Sequence, residues 1–225
     1  MDENPDSLGI RKEAEASNRQ ELEAKMSEAE FAAYQDRAHA EVKAQNGVAD
    51  RVCGECTACC TILAVKELHK ASFQPCPHEC AGCAIYDSRP RSCRSWSCGW
   101  LLGRVPGDER RRPDKIGLIF NRETLAGKSY TVAIEVWPGA SRESTNAYLL
   151  KKMSQDTPII IREYQFRKYD VLTRTSQQRQ RVLQSIQAEW HPKQSRSDSG
   201  AGQSMNGSAL VFQDNQDRSS TEPLP

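Results

Sequence analysis

The chain has 225 residues, a hydrophobic fraction of 37% and a formal net charge of +1; its mean hydropathy of −0.72 is low for a chain that is compact along its whole length, and the size suits one or two small domains. No apolar run approaches the roughly 18 residues of a membrane span, and the opening MDENPDSLGIRKEAEAS is acidic where a signal peptide would be basic and then apolar. The absence of both leaves the cytoplasm as the expected location; the near-neutral total hides an acidic start, with 6 basic against 12 acidic residues over residues 1–50, but the basic residues that follow are scattered, which argues against nucleic acid as a partner.

Residues 18–45 are rich in Ala, Glu and Lys, lack Pro and Gly, and set Leu22, Met26, Ala29 and Ala33 at i, i+4, i+7 and i+11, which predicts a helix with a thin apolar stripe. Ser17 and Gln20 have capping-box spacing, and Asn46-Gly47 supplies a stop. Residues 51–103 hold little regular pattern beyond Ile62-Leu63-Ala64-Val65, read as a short strand or buried turn. Such a segment buries too little apolar surface to offset its ordering entropy, so bound metal is expected to supply folding free energy there. Strands are predicted over residues 116–121 and 130–137, joined by a polar stretch containing Gly127-Lys128. A short helix over 143–153, a strand over 158–164 and a helix over 176–190 with Val182, Leu183 and Ile186 as apolar positions complete the ordered part. Beyond His191-Pro192 the composition falls to Ser, Gln, Asp, Asn and Gly, which reads as a disordered tail. The expected class is therefore α+β: an acidic helical segment (1–50), a metal-organised cysteine-rich module (51–103), a small β-sheet with helices (104–190) and the tail (191–225).

All nine cysteines fall between Cys53 and Cys98, in the order C-x2-C-x2-C-C-x15-C-x3-C-x2-C-x9-C-x4-C. In a reducing compartment thiols stay available for metal, and an odd count leaves one over from complete disulfide pairing. Soft thiolates bind zinc, cuprous copper or iron–sulfur clusters, and a C-x2-C turn lets two sulfurs reach one ion. Cys53, Cys56, Cys59 and Cys60 are close in sequence, so gathering them costs little loop-closure entropy. Adjacent side chains such as Cys59 and Cys60 point apart, so they serve different ligand sets or one is spare. Cys76, Cys80, Cys83, Cys93 and Cys98 supply the remaining partners, enough for two four-coordinate sites or one cluster plus a zinc. His78 could replace a sulfur, or be a polar residue of a crowded turn. Arg51, Arg89, Arg91 and Arg94 flank the thiols, where positive charge offsets a tetrathiolate centre, unless they pair with Asp87, Glu79 or solvent. Tyr86, Trp96 and Trp100 would pack in a core and shield a cluster from water.

The stretch CGECTACC followed by CPHECAGCAIYDSRPRSCRSWSCGWL resembles the CxxCxxCC zinc- or iron-chelating domain family, the YkgJ-type cysteine-cluster proteins. The resemblance rests on Cys53, Cys56, Cys59 and Cys60, then Cys83-Ala84-Ile85-Tyr86, Arg89-Pro90, Cys93-Arg94 and Cys98, and covers residues 51–102 directly. It implies chelation of zinc or iron, with Cys53, Cys56, Cys59, Cys60, Cys76, Cys83, Cys93 and Cys98 as ligands and Cys80 as a subgroup cysteine. Relatives in that family include flagellin lysine N-methylases and proteins labelled Fe–S oxidoreductases. No Gly-rich nucleotide loop, H-E-x-x-H or G-x-S-x-G stands in this sequence, so no methyl-donor site or hydrolase is indicated. The expectation is a cytoplasmic metal-binding protein holding zinc or an iron–sulfur centre. Its role is open between an Fe–S redox protein, a metal-dependent protein-modifying enzyme and a zinc-stabilised structural or adaptor module with an unidentified protein partner.

Overall fold

A computed structural model of the chain describes residues 21–166 and 168–190; the expected tail after His191 and the Ser17–Gln20 capping box lie outside the described residues. The architecture is α+β. A four-stranded sheet, β3 (Leu118–Leu125), β4 (Lys128–Glu135), β5 (Ile159–Arg162) and β6 (Tyr169–Leu172), runs in sequence order, and two-residue strands β1 (Glu79–Cys80) and β2 (Gly82–Cys83) form a separate hairpin. β3 and β4 pair antiparallel from Leu118↔Glu135 to Leu125↔Lys128. Their two-residue turn puts both Ala126 (φ 47°) and Gly127 (φ 72°) in the left-handed region, the geometry that matches strand twist. β4 and β5 are parallel, so the chain crosses over through helix α5 (Ser144–Met153) before β5 returns antiparallel to β6. β3 begins two residues later than expected because Pro113 and Gly117 bound a short helix, α4 (Pro113–Ile116), that absorbs Ile116.

Side chains alternate across the sheet with period two, and both faces are buried. Leu118, Phe120, Ala133, Ile159 and Ile161 face α5, the Cys98–Leu101 stretch and Val105. Ile119, Val132, Ile134, Ile160 and Val171 face helix α6 (Ser176–Trp190) and the short helix α2 (Ala58–Ile62). The cysteine segment therefore covers parts of both faces around β3, and Gly99 N–H donates to Phe120 O at 2.6 Å. Ile62-Leu63-Ala64-Val65 is no strand: Ile62 ends α2, and Val65 makes a single bridge to Lys70. A buried carboxylate fixes the loop after β4, since Glu135 accepts from Gly139 N, Ser141 N, Ser141 Oγ and Tyr164 N at 2.5–3.2 Å.

The expected continuous N-terminal helix is broken at Met26-Ser27. Ser27 is the N-cap of α1 (Glu28–Gln45) and forms a capping box with Glu30. The anticipated stripe does not face a core: Leu22, Ala29 and Ala33 are exposed, and Phe31 and Gln35 are buried instead. Two arginines of the cysteine segment set this orientation. Arg91 lies over the Phe31 ring at 4.5 Å and bonds Glu28 and the carbonyls of Glu23 and Met26, while Arg94 pairs with Asp36 at 3.0 Å. Among the described residues no helix is long and apolar enough to cross a membrane.

Candidate metal centre

The cysteine segment is built from short local devices. In Cys53-Gly54-Glu55-Cys56 the Cys56 N–H returns to Cys53 O at 3.0 Å, which closes a tight turn between the two cysteines. α2 follows at once, pinned to the sheet by buried Ala58 and Ile62, and carries Cys59 and Cys60 between those anchors. Cys76 opens a turn closed by Glu79 N–H to Cys76 O at 3.0 Å, and the β1–β2 hairpin then delivers Cys83. Gly82 in that hairpin has φ +116°, and a Cβ there would stand 2.8 Å from Gly54 O, so only glycine lets the hairpin rest against the Cys53–Cys56 turn. Helix α3 (Arg91–Arg94) presents Cys93, and Cys98 is buried at 8% exposure with its sulfur accepting from Leu101 N–H at 3.4 Å.

These devices converge. Cys53, Cys56, Cys59, Cys60, Cys76, Cys83, Cys93 and Cys98 all line one cavity of about 80 Å³. Cys80, which is exposed, and His78 do not line it. All nine cysteines are free thiols. Among the described residues no three His, Cys, Asp or Glu side chains stand in a preformed ligand arrangement. Cys60 instead lies close to the Cys59 and Cys76 thiols.

Burial dominates the electrostatics. It pushes Cys56 and Cys93 up to about 11 and Cys98 up to about 12, and it raises Cys53 and Cys83. The Cys59–Cys60 hydrogen bond splits that pair, raising Cys59 well above the usual thiol range and lowering Cys60 to about 7. Metal binding would have to displace protons from most of these sulfurs, which makes it steeply pH-dependent.

The cations sort differently from the expectation. Arg89 lines the cavity, stacked over Tyr86 at 3.8 Å. Arg51 instead donates to Trp100 O at 2.5 Å and to the carbonyls of Val105 and Gly107, Arg91 clasps α1, and Arg94 joins Asp36 to Asp87 O. Tyr86 and Trp96 line the cavity, whereas Trp100 lies in the core with its indole N–H on Asp108 O.

Sequence reasoning missed two polar residues. Lys70, at 6% exposure, lines the cavity and donates through Nζ to Thr61 O, Leu63 O and Ala71 O, closing the C-terminal end of α2. Burial lowers its pKa, against the pull of the Cys76, Cys60, Cys59 and Cys93 thiols nearby. Asp114 lies beside the Cys56 thiol and accepts from Arg112 Nε at 2.6 Å. Nothing in the local sequence marks either residue: Lys70 reaches the cavity and Asp114 the Cys56 thiol through tertiary contacts. Set beside known proteins, the chain matches no protein-family model, no curated protein and no solved structure.

Proposed function

We propose that this chain is a metal-binding protein whose cavity thiols hold zinc or an iron–sulfur centre. One observation carries the reading: eight of nine cysteines, drawn from separate turns, helices and a hairpin, line a single cavity as free thiols. The donors are all sulfur, which suits zinc or an iron–sulfur cluster and not the hard cations calcium and magnesium. Arg89 and Lys70 in the wall fit the same reading, since tetrathiolate centres carry net negative charge that flanking cations offset. The resemblance to zinc- or iron-chelating cysteine-cluster proteins agrees with it, and a reducing cytoplasm is where such thiols persist. Bound zinc would act structurally and tie the loops together; a bound iron–sulfur cluster would add one-electron transfer.

A second reading, thiol–disulfide exchange, draws on the closeness of Cys59, Cys60 and Cys76 in the cavity wall, with the Cys60 thiol lowered to about 7. A thiolate at neutral pH beside a second thiol is the arrangement such exchange needs.

Metal analysis with an absorption spectrum, on anaerobically purified full-length protein, separates the readings. Stoichiometric zinc, or iron with sulfide and a broad visible band, is the expected result. Metal-free protein whose thiols oxidise reversibly in pairs would overturn the metal reading and favour exchange.

A further inference from the structure

α1 is gripped by residues 91–102, the stretch of chain that carries Cys93 and Cys98. Arg91 Nε pairs with Glu28 at 2.6 Å, its other nitrogens bond Glu23 O and Met26 O just before the helix, and its guanidinium lies over the Phe31 ring at 4.5 Å. Arg94, buried at 7% exposure, pairs with Asp36 at 3.0 Å. Further along, the Ser97 hydroxyl meets His39 Nδ1 at 3.2 Å, and Leu102 O accepts from the side chain of Asn46, the C-cap of α1, at 2.7 Å. Apolar burial adds little to this grip, since the 18 residues of α1 bury Phe31 and Gln35.

The same stretch positions sulfur. Successive residues of α3 are about 100° apart, so Arg91 and Arg94 share the side that clasps α1, and Cys93 leaves the helix roughly 130° from the midpoint between them and lines the cavity. Ser97 also lines the cavity while it meets His39, and it precedes the buried Cys98. α3 has four residues, too few to be helical alone, so its shape follows from what its two sides hold.

From this two-sided arrangement we infer that α1 is a metal-responsive element, seated on residues 91–102 when the cavity sulfurs hold a metal and loosened when they do not. The inference rests on the metal reading above and adds its regulation. A metal bound by Cys93 and Cys98 fixes the spacing of Arg91, Arg94 and Ser97, and with it the surface that α1 fits. Release lets α3 shift and parts Arg94 from Asp36. A free helix of this length is marginal in water, so α1 frays once its anchors move. The coupling is reciprocal: the factor by which metal tightens the seating of α1 is the factor by which seated α1 tightens the metal.

The test is hydrogen–deuterium exchange read by mass spectrometry on full-length, reduced protein, metal-loaded as purified anaerobically and then stripped by a chelator. Amides of α1 should exchange about tenfold faster or more after stripping, within the usual range of such couplings, while β4 and β5 change far less. Phe31→Ala combined with Asp36→Asn loosens α1 without touching a cysteine, and should weaken cobalt(II) binding to the stripped protein by a factor comparable to the wild-type change in exchange. A wild-type protein that carries no metal when purified and binds no cobalt overturns the metal reading itself. Metal that binds with no change in α1 exchange, or with equal changes in β4 and β5, overturns the coupling and leaves the metal reading standing. So does unaltered cobalt affinity in a double variant whose α1 exchanges fast. The wild-type exchange decides the point even where the variant fails to fold.

Discussion

Replacing Lys70 by methionine removes one nitrogen that serves two purposes. Its Nζ is the donor for Thr61 O at 3.2 Å, Ala71 O at 3.3 Å and Leu63 O. A buried carbonyl left without a partner costs about 1–3 kcal/mol, and hydrogen bonds from charged donors lie at the upper end of the net range. Methionine keeps the packing of the aliphatic stem and removes the cost of burying an ammonium, so the three losses do not simply add; we expect about 2–4 kcal/mol in the metal-free protein. The loaded protein should lose more, because the same ammonium faces the Cys76, Cys60, Cys59 and Cys93 thiols and offsets their charge when a metal holds them as thiolates. Urea unfolding of the stripped and loaded forms, with a chelator challenge at neutral pH, separates the two effects. Lys70→Gln can return a donor to one carbonyl without the charge, so it should recover part of the metal-free loss and none of the extra loss. A metal-free cost below about 1 kcal/mol would refute the capping argument, and chelator kinetics unchanged in Lys70→Met would refute the charge argument.

Gly82→Ala forces a side chain onto a φ of +116° and to within 2.8 Å of Gly54 O, which should cost about 2–4 kcal/mol and lower metal content by parting the β1–β2 hairpin from the Cys53–Cys56 turn. Cys80→Ser in the same hairpin should change stability by no more than about 0.5 kcal/mol; equal metal loss in the two variants would show that the contact does not assemble the site. At Glu135, burial works against ionisation, but hydrogen bonds from Ser141, Tyr164 and Gly139 outweigh it and hold the carboxyl below its ordinary value of 4.5. Its contribution is thus fully present above the unfolded value and is lost as pH falls through the lower folded one. Glu135→Gln should therefore flatten the acid limb of stability below about pH 4.5 and cost about 2–4 kcal/mol at neutral pH, and an acid limb parallel to wild type would refute this.

The cavity gathers the eight cysteines that the family resemblance implied and leaves Cys80 and His78 outside; spacing alone put all nine in one short segment and did not choose among them. α6 was legible to its ends, since its apolar positions repeat helically and Thr175 caps its first turn through Gln178 N–H at 3.2 Å. β6 was not: four residues with Asp170 among them carry no pattern of their own, and pairing with β5 makes them a strand. The face of α1 was misread because a stripe of alanines buries little area, and the Arg91 contact with Phe31 decided the orientation from 60 positions away in sequence. Lys70 and Asp114 illustrate the same limit from the side of function. A cation or carboxylate that completes a site across the fold looks, along the chain, like any solvated charge.

The position of the cavity constrains what bound metal would do, whichever ion it is. α2 is only five residues long, too short to be stable alone, and it covers one face of the sheet through Ala58 and Ile62. The opposite face is covered by Trp100, Leu101 and Val105, which follow Cys98 in a stretch without regular structure. Cys59 lies on the first cover and Cys98 leads into the second, so a metal shared between them joins the covers around the β3 strand. Binding restricted to that folded arrangement stabilises it by mass action.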